Sequence, residues 1–565
     1  MSGATTADVI VATLVSHGVD TVFGMPGIQT YPLFDALARS PIRIIGVRHE
    51  QATAFMAFGY AQATGRPGVY TVVPGPGVLN SSAALVSAYG ASVPVVCLTA
   101  DIPSRFVGRG LGMLHELPDQ LATLRGLTKW SAAIEHPSQA AELTARAFYH
   151  ATEGRPRPVA LQVPMDVLAA PAPAGPPVPP IPVFPPPIDP AAIARAAEVL
   201  AAARHPMIMV GGGAKDAAPQ VRDLARVLQC PVVAFRRGRG VVTDQDPYGF
   251  TAASGYQYWP ETDVLLGVGS RLELSWYRWP ARPDAPRTVL IDIDPRQAAR
   301  LRPEVAITAD AAQALSALVS ELSYTEAPRP DRSAEFTEAK ERTAAEIRDI
   351  GPDLEYLAVI RDALPPDGFF VEESCQVGFA SYIAYPVRTP REFITCGYQG
   401  TLGFGFPTAL GVKSAMPERS VVSVCGDGGF AFALPELATA VQHNLGVVTV
   451  VFRNDAFGNV LLDQQRLYEG RDVASRLHNP DFAAVATAFG ADAYTARSPQ
   501  ELQGALTQAI PADRPAVIEV KTQLGGTASP WKYMMPGSPL RGYTSGLNQG
   551  RSRSTATCVG GNLEA

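Results

Sequence analysis

The chain has 565 residues, of which 47% are hydrophobic and 18% are charged, so it is long enough for about three domains with large cores. Its formal net charge of −6 is small for this length and gives no indication of nucleic-acid binding, and no apolar run approaches the length of a membrane span. Six scattered cysteines without a C-x-x-C pair, together with a polar N-terminal segment, favour reduced thiols in a cytoplasmic protein.

The first 170 residues alternate helix-like and strand-like segments, which predicts a first domain with a parallel sheet covered by helices. The predicted elements are helix 6–17, strand 21–23, helix 31–38, strand 42–48, helix 51–63, strand 69–73, helix 78–89 and strand 94–99.

One stretch of this domain, residues 48–80, carries a candidate functional carboxylate. Glu50 follows the predicted strand 42–48 at its C-terminal edge and opens a helix rich in small residues. By its position alone, Glu50 is an ordinary carboxylate at a helix start, where it interacts with the helix dipole. A second strand, a Gly-Pro-Gly turn and Asn80 complete the stretch.

A linker and a second domain follow. More than half of residues 171–190 are proline, so residues 171–189 are predicted to form an extended linker rather than a helix or central strand. Residues 190–345 again alternate helix and strand. Gly211-Gly212-Gly213 follows the strand 206–210 but lacks the full spacing of a dinucleotide fingerprint, so a tight strand-to-helix turn is favoured.

The third domain, residues 346–540, contains the most informative motif. An apolar strand from residue 420 ends at Gly426-Asp427-Gly428, a helix is predicted at 434–445, and a second strand ends at Asn454-Asp455. The ends of neighbouring parallel strands lie on one sheet edge, so Asp427 and Asn454 could share a Mg²⁺ ion. The alternative is a simple Gly-Asp-Gly turn with an unrelated asparagine. Residues 541–565 are rich in Gly, Ser and Arg and are predicted to be a flexible tail.

The third-domain motif, with twenty-five residues between Gly428 and Asn454, resembles the thiamine-diphosphate motif of the pyruvate decarboxylase and acetolactate synthase superfamily. The resemblance extends over almost the whole chain, and segments 114–130, 154–168 and 400–411 look like acetolactate synthase catalytic subunits. It implies three open parallel-sheet α/β domains: pyrimidine-binding, central and diphosphate-binding. It also implies a homodimer or homotetramer in which the active site lies between subunits.

The same resemblance implies roles for individual residues. Glu50 matches the catalytic carboxylate that hydrogen-bonds N1′ of the cofactor pyrimidine. Leu402 matches an apolar residue that wedges the cofactor into a bent conformation, although a simple core leucine is the alternative. The Mg²⁺ ligands would be Asp427, Asn454 and the carbonyl oxygen of Ala456. The other expected cofactor contacts are Pro26, Gly27, Asn80, Gln376, Gly400, Gly426, Gly428, Gly429, Phe457 and Gly458.

Substrate contacts are less well defined. His115 falls in the loop that faces the substrate channel in the family, although a lone histidine is more often structural. Gln120 and Gln464 are weaker candidates for contacting substrate.

Several positions depart from the family patterns. Asp455 replaces the second asparagine of the usual pair, and Ile28 stands where acetolactate synthases have Gly and pyruvate decarboxylases have an acidic residue. Val377-Gly378 replaces an expected His-Gln, and the paired histidines of pyruvate decarboxylases are missing. FAD is permitted by the resemblance but is not favoured, because the middle domain shows no convincing flavin signature.

Three functional hypotheses result. The first is a thiamine-diphosphate- and Mg²⁺-dependent lyase or carboligase that decarboxylates a pyruvate-like 2-oxo acid and transfers the activated aldehyde to a second carbonyl compound, as acetolactate synthase does. The second is a simple decarboxylase that releases the aldehyde. The third, a non-catalytic binding subunit, predicts losses at Glu50, Asp427 or Asn454, and none is seen.

Overall fold

The structure is a computed structural model that describes residues 4–173, 175–325, 328–523 and 529–536. Within these ranges, no helix combines the length and the apolar character needed to cross a bilayer. The predicted tail, residues 541–565, lies outside the described residues.

The described strands form three six-stranded sheets, all parallel. The strand order is β2-β1-β3-β4-β6-β5 in the first, β12-β11-β10-β7-β8-β9 in the second and β14-β13-β15-β16-β18-β17 in the third. Their bounds are β1 (Thr21–Gly24), β2 (Arg43–Gly46), β3 (Gly68–Val72), β4 (Val95–Asp101), β5 (Trp130–Ala133), β6 (Val159–Pro164), β7 (Pro206–Val210), β8 (Val232–Ala234), β9 (Gly249–Phe250), β10 (Val264–Val268), β11 (Arg287–Ile291), β12 (Val305–Ile307), β13 (Phe369–Glu372), β14 (Phe393–Ile394), β15 (Val421–Gly426), β16 (Val447–Arg453), β17 (Asp492–Ala496) and β18 (Ala516–Lys521).

Helices connect the strands and cover the sheets. They are α1 (Thr6–Ser16), α2 (Tyr31–Ala38), α3 (Glu50–Thr64), α4 (Pro76–Ala91), α5 (Gln120–Leu127), α6 (Ala140–Thr152), α7 (Met165–Ala169), α8 (Pro190–Ala201), α9 (Ala218–Leu228), α10 (Ala252–Tyr256), α11 (Pro295–Leu301), α12 (Ala311–Thr325), α13 (Ser333–Glu346), α14 (Pro352–Ala363), α15 (Gln376–Ala384), α16 (Gly405–Ala415), α17 (Asp427–Ala433), α18 (Glu436–Gln442), α19 (Gly458–Leu467), α20 (Phe482–Phe489), α21 (Pro499–Ala512) and α22 (Trp531–Met534).

Central strands of each sheet are buried on both faces, as their continuous apolar runs require. Each sheet lies within one predicted domain range, and residues 175–189 of the predicted linker form neither helix nor strand. The predicted fold class, three parallel-sheet α/β domains, is therefore confirmed.

The first and third domains pack through α3 and α16, and this contact places Glu50 beside the third domain. The helices approach so closely that a Cβ on Gly59 would lie 2.1 Å from the Thr408 carbonyl oxygen, and one on Gly411 would lie 2.0 Å from that of Met56. Side chains of both domains share one hydrophobic cluster. Small residues in α3 are thus needed for helix–helix contact.

One predicted element differs from the structure. The helix expected at 434–445 is the shorter α18, and a second short helix, α17, precedes it and begins directly at Asp427. Pro435 lies between them and has no N–H to donate to a continuous helix. The carboxylate of Asp427 therefore lies at the first residue of a helix rather than within a loop.

Candidate active site

Asp427 and Asn454 lie at neighbouring strand ends. In the register of β15 and β16, Gly426 is opposite Phe452, so the two side chains follow on the same sheet edge. Asp427 is 1% exposed, and burial raises the pKa of its carboxyl group. Its Oδ2 accepts hydrogen bonds from the backbone N–H groups of Asn454 (3.1 Å) and Asp455 (2.7 Å). The juxtaposition predicted from the sequence is thus present.

Asn479 is a third neighbour of this carboxylate that the sequence reasoning missed. Its Nδ2 donates to Asp427 Oδ2 (2.9 Å) and to Asp455 Oδ1 (3.1 Å). The segment around Asn479 is tied to the loop after β16, because the N–H of Leu477 donates to the carbonyl of Asp455 (2.8 Å). A His-Asn-Pro turn in the sequence indicates a loop there, but nothing local indicates where that loop packs.

The loop after β16 also contains the remaining predicted contacts of the third domain. Ala456 is buried and forms an isolated antiparallel bridge with Arg476. The N–H of Phe457 donates to the Ser475 carbonyl (2.8 Å), and Gly458 is the first residue of α19. Asp455 has a φ of 53°, a left-handed conformation that Asn and Asp tolerate better than most residues, which accounts for the replacement of asparagine by aspartate here.

Glu50, in the first domain, is the first residue of α3, and His49 caps the helix by accepting from the N–H of Gln51. The Glu50 side chain is half-buried in this single chain. Its Oε2 accepts from Asn80 Nδ2 (3.0 Å), so the two residues predicted to contact the cofactor form one polar pair. The flanking N–H groups of Arg48 and His49 donate to the carboxylate of Glu436 on α18, which fixes the helix start against the third domain.

Comparisons with known proteins decide the family. The family model for the N-terminal domain of thiamine pyrophosphate enzymes matches residues 4–123, the model for their central domain matches 193–318, and the model for their C-terminal domain matches 374–520. A probable 2-ketoarginine decarboxylase of Pseudomonas aeruginosa is 36% identical over 522 residues, covering 88% of this chain and 90% of that protein. The chain belongs to the thiamine pyrophosphate enzymes.

Other relatives of this thiamine pyrophosphate enzyme carry a different name. The large subunit of acetolactate synthase isozyme 3 of Escherichia coli is 32% identical over 530 residues, covering 89% of this chain and 92% of its own. A probable acetolactate synthase large subunit of Methanocaldococcus jannaschii is 31% identical over 554 residues and covers 91% of both. The reported relatives are therefore named either as a 2-ketoarginine decarboxylase or as acetolactate synthase large subunits.

The residues present fit the cofactor that the family implies. Leu402 is half-buried and lies outside the hydrophobic clusters, unlike a simple core leucine. Gly400 and Gly403 flank it with φ values of 60° and 77°, which are costly for other residues. Gln376 opens α15, and Cys375 caps that helix. In the first domain, Pro26 is exposed after β1, and a Cβ on Gly27 would lie 2.3 Å from Val73.

The donor set also fits a hard cation. Within the described ranges no three His, Cys, Asp or Glu side chains cluster around one point. The expected set instead comprises one carboxylate, one side-chain amide and one backbone carbonyl, all oxygen donors of the kind that Mg²⁺ prefers. The raised pKa of Asp427 reflects a buried carboxylate without a counter-charge, which a bound cation would stabilise.

His115 lies over the Gly-Pro-Gly turn of this family member. It has a φ of 69°, and its buried Nδ1 has no hydrogen-bond partner among the described residues. A Cβ on Gly75 would lie 2.5 Å from the His115 carbonyl oxygen, so this glycine is required by close backbone approach. A strained residue with an unpartnered ring nitrogen is consistent with a functional site.

Gln120 and Gln464, the weaker candidates for substrate contact, have both ends of their amides occupied. Gln120 accepts from the N–H of Gly75 (2.9 Å) and donates to the Ala100 carbonyl (2.9 Å). Gln464 accepts from Ser475 Oγ (2.8 Å) and donates to the Val473 carbonyl (3.1 Å). Both side chains hold loops in place rather than present free groups.

The central domain contains a separate interdomain cleft of about 390 Å³. Gly211 forms part of a tight turn, since a Cβ there would lie 2.3 Å from the Gly269 carbonyl oxygen. Lys215 is buried in this cleft and Arg237 is partly exposed there, and burial beside other cations lowers the pKa of Lys215 well below its usual value and that of Arg237 to about 9. Six cationic and four acidic residues line the cleft, so cations are in excess, which the glycine spacing alone did not indicate.

Proposed function

We propose that this chain is a thiamine-diphosphate- and Mg²⁺-dependent enzyme that decarboxylates a 2-oxo acid. The observation that carries the proposal is the pairing of Asp427 with the loop of Asn454 at one sheet edge, in a chain that also keeps Glu50 at the start of α3. Asp427, Asn454 and the Ala456 carbonyl would hold the metal ion, and Gly428 would lie beside the diphosphate. The third hypothesis, a non-catalytic subunit, has no feature in its favour.

Bound thiamine diphosphate would supply the nucleophilic carbon and the electron sink for decarboxylation. Glu50 would hold a proton at N1′ of the pyrimidine, oriented by the hydrogen bond from Asn80. Leu402 would support the bent cofactor from the opposite side, because the two glycines beside it set its loop. His115 would face the substrate with its free ring nitrogen.

For the fate of the activated aldehyde, we propose release as the first candidate. The decarboxylase relative shares 36% of residues, against 32% for the acetolactate synthase isozyme. Ile28 and Val377 also replace residues of the acetolactate synthase pattern beside the expected acceptor site. Carboligation, the first hypothesis from sequence, remains the second candidate, because several relatives are named acetolactate synthases.

We also propose that a second copy of the chain completes the site. The first domain exposes large apolar side chains near its Gly-Pro-Gly turn, including Leu79 (47% exposed) and Leu114 (61%). The third domain exposes Phe432 (57%) on α17, beside Asp427. Large exposed apolar side chains on the elements that carry a polar site are typical of a subunit interface. Sedimentation velocity would test this, and a monomer at micromolar concentration would contradict it.

The central experiment measures CO₂ release from a panel of 2-oxo acids that includes pyruvate and 2-ketoarginine, with and without thiamine diphosphate and Mg²⁺. We expect turnover of at least one acid only with both cofactors, and a loss of about 100-fold or more in Glu50→Gln. Equal turnover in this variant would refute the role of Glu50. Mass spectrometry of the products separates a free aldehyde from an acyloin or acetohydroxyacid.

FAD is not favoured as a further cofactor, and an absorption spectrum of the purified protein tests this directly. The five described cysteines, Cys97, Cys230, Cys375, Cys396 and Cys425, are unpaired, which is consistent with the proposed cytoplasmic location.

A further inference from the structure

Glu373 is a buried carboxylate that the proposed reaction does not use. It follows β13 directly, on the same sheet edge as Asp427, and is 1% exposed. Its Oε1 accepts from the N–H of Gly403 (2.8 Å) and its Oε2 from the N–H of Gly405 (2.9 Å). Both donors follow Leu402 in the chain. The carboxylate therefore fixes the C-terminal side of the segment between β14 and α16 that contains Leu402, here called the Leu402 loop.

The same carboxylate packs against Gly429 in the first turn of α17, which is expected to lie beside the cofactor diphosphate. A Cβ on Gly429 would lie 1.9 Å from Glu373 Oε1, so a side chain there would displace the Glu373 carboxylate from its hydrogen-bonded position. Gly429 is one of the expected cofactor contacts, and its approach to Glu373 is a separate reason for it to lack a side chain. Glu373 thus lies between the Leu402 loop and the turn of Asp427.

The backbone of Glu373 extends this arrangement to a third segment. Its carbonyl accepts from the N–H of Cys375 (2.7 Å), and a Cβ on Gly378 would lie 2.0 Å from that oxygen. Cys375 caps α15, which begins with Gln376. One residue therefore contacts all three segments of the third domain that are expected to surround the diphosphate and thiazolium of the cofactor.

We propose that Glu373 is a positioning residue that holds the Leu402 loop against the Gly428-Gly429 turn and so forms the cofactor pocket. This inference rests on the proposed function. Glu373 acts through its neighbours: each of its two oxygens accepts from one N–H group, whereas glutamine has a single acceptor oxygen and would turn its NH₂ group towards one of these donors.

The neighbouring residue offers a matched control. Glu372 is equally buried (0% exposed), and its Oε1 accepts from the Tyr382 hydroxyl (2.7 Å). Its side chain accepts hydrogen bonds from Tyr382, Thr395 and Cys396 and none from Gly403, Gly405 or the first turn of α17. Replacing Glu372 therefore measures the effect of losing a buried carboxylate at this strand end, without changing the hydrogen bonds that hold the proposed cofactor pocket.

The first experiment compares Glu373→Gln with Glu372→Gln by calorimetric titration of the apoprotein with thiamine diphosphate and Mg²⁺, alongside the thermal unfolding midpoint. We expect Glu373→Gln to bind about ten- to hundredfold more weakly, and Glu372→Gln to stay within about threefold of wild type. Binding by Glu373→Gln as tight as wild type would overturn the inference and leave the proposed function standing. Wild type that fails to bind would instead overturn the proposed function.

The second experiment asks which group excludes a side chain at position 429. If Glu373 excludes it, Gly429→Ala should bind thiamine diphosphate at least about tenfold more tightly when combined with Glu373→Asp than when alone, since the shorter carboxylate frees the space. Strictly additive losses would show that the diphosphate itself excludes the side chain and would overturn the role given to Glu373. This test remains decisive if Glu373→Gln does not fold.

Discussion

The C-terminal and central sheets have similar edges, but the charged side chains beside their glycine runs differ in sign. Both sheets are parallel, and in both a buried strand is followed directly by a glycine-rich segment. Beside the glycines of the C-terminal edge lie the buried carboxylates of Glu373 and Asp427, whereas the buried Lys215 and the partly exposed Arg237 lie beside the glycines of the central edge. Strand ends thus determine where a ligand lies, and the side chains beside the glycines determine its charge.

The difference also concerns how each edge can hold a phosphate. An acidic edge repels an anion unless a cation lies between them, so the proposed metal would be needed for the C-terminal edge to hold a diphosphate. A basic edge attracts an anion directly. Removing a buried carboxylate from the acidic edge should therefore weaken ligand binding. Removing the buried lysine from the basic edge should instead stabilise the ligand-free protein.

The largest expected effect is on the acidic edge. Asp427→Asn removes the carboxylate of the proposed metal site, and we expect Mg²⁺-dependent binding of thiamine diphosphate to weaken by about 100-fold or more. Calorimetric titration at fixed Mg²⁺ measures this. Asp492→Asn, which removes a charge from a partly exposed ion pair with Arg514 in the same domain, is the control and should bind normally. Equal losses in both variants would count against the metal site.

The pH dependence of stability should have opposite signs at the two edges. Burial raises the pKa of Glu373 from 4.5 to about 7, so the unfolded chain ionises first as pH rises. Glu373 therefore makes the free energy of unfolding fall between pH 4.5 and about 7, by up to about 3 kcal/mol. Nearby Glu372 acts in the same direction, since burial also raises its pKa.

Lys215 acts in the reverse sense. Its pKa in the folded chain lies well below 10.5, so the folded chain loses its proton first. The free energy of unfolding should then rise with pH across the interval between the two values. Urea titrations of the apoprotein between pH 5 and 10, with Glu373→Gln and Lys215→Met as references, measure both slopes. A variant with an unchanged slope would contradict the assignment for that residue.

At the basic edge, Lys215→Met should stabilise the ligand-free protein. Lys215 is 5% exposed and faces Arg237 and Arg391, so an apolar side chain of similar length removes a costly buried charge. We expect a gain of about 1–3 kcal/mol in the free energy of unfolding at neutral pH. The exposed Lys521→Met should change it by less than about 0.5 kcal/mol. A destabilised Lys215→Met would mean that the cation is paired within the chain.

The acidic edge was largely predictable from sequence, and the basic edge was not. Buried parallel strands are continuous apolar runs, so β15, β16 and the residues that follow them can be located directly. Lys215, by contrast, is a charged residue two positions after a glycine run, and such residues are usually exposed. Its burial depends on Arg391 and on other parts of the chain distant in sequence.

The same limit explains what was missed within the acidic edge. Asn479 and Glu373 reach Asp427 and Gly429 only because separate loops fold together, and neither belongs to a motif with fixed spacing. The break at Pro435 was visible in the sequence, but the helical pattern on its C-terminal side masked the short helix that starts at Asp427. The local sequence pattern thus predicts the ligands of the proposed metal. It does not predict the residues that orient those ligands through hydrogen bonds and packing.

The smallest expected effect tests one of these holding residues. Asn479→Ala removes two hydrogen bonds, to Asp427 and Asp455, and should weaken binding of thiamine diphosphate with Mg²⁺ by about tenfold. The adjacent, exposed His478→Ala is the control. Because Asn479 orients a ligand without replacing it, raising the Mg²⁺ concentration should restore much of the binding in Asn479→Ala but not in Asp427→Asn. If excess Mg²⁺ rescues both variants or neither, the division between metal ligand and positioning residue at this edge is wrong.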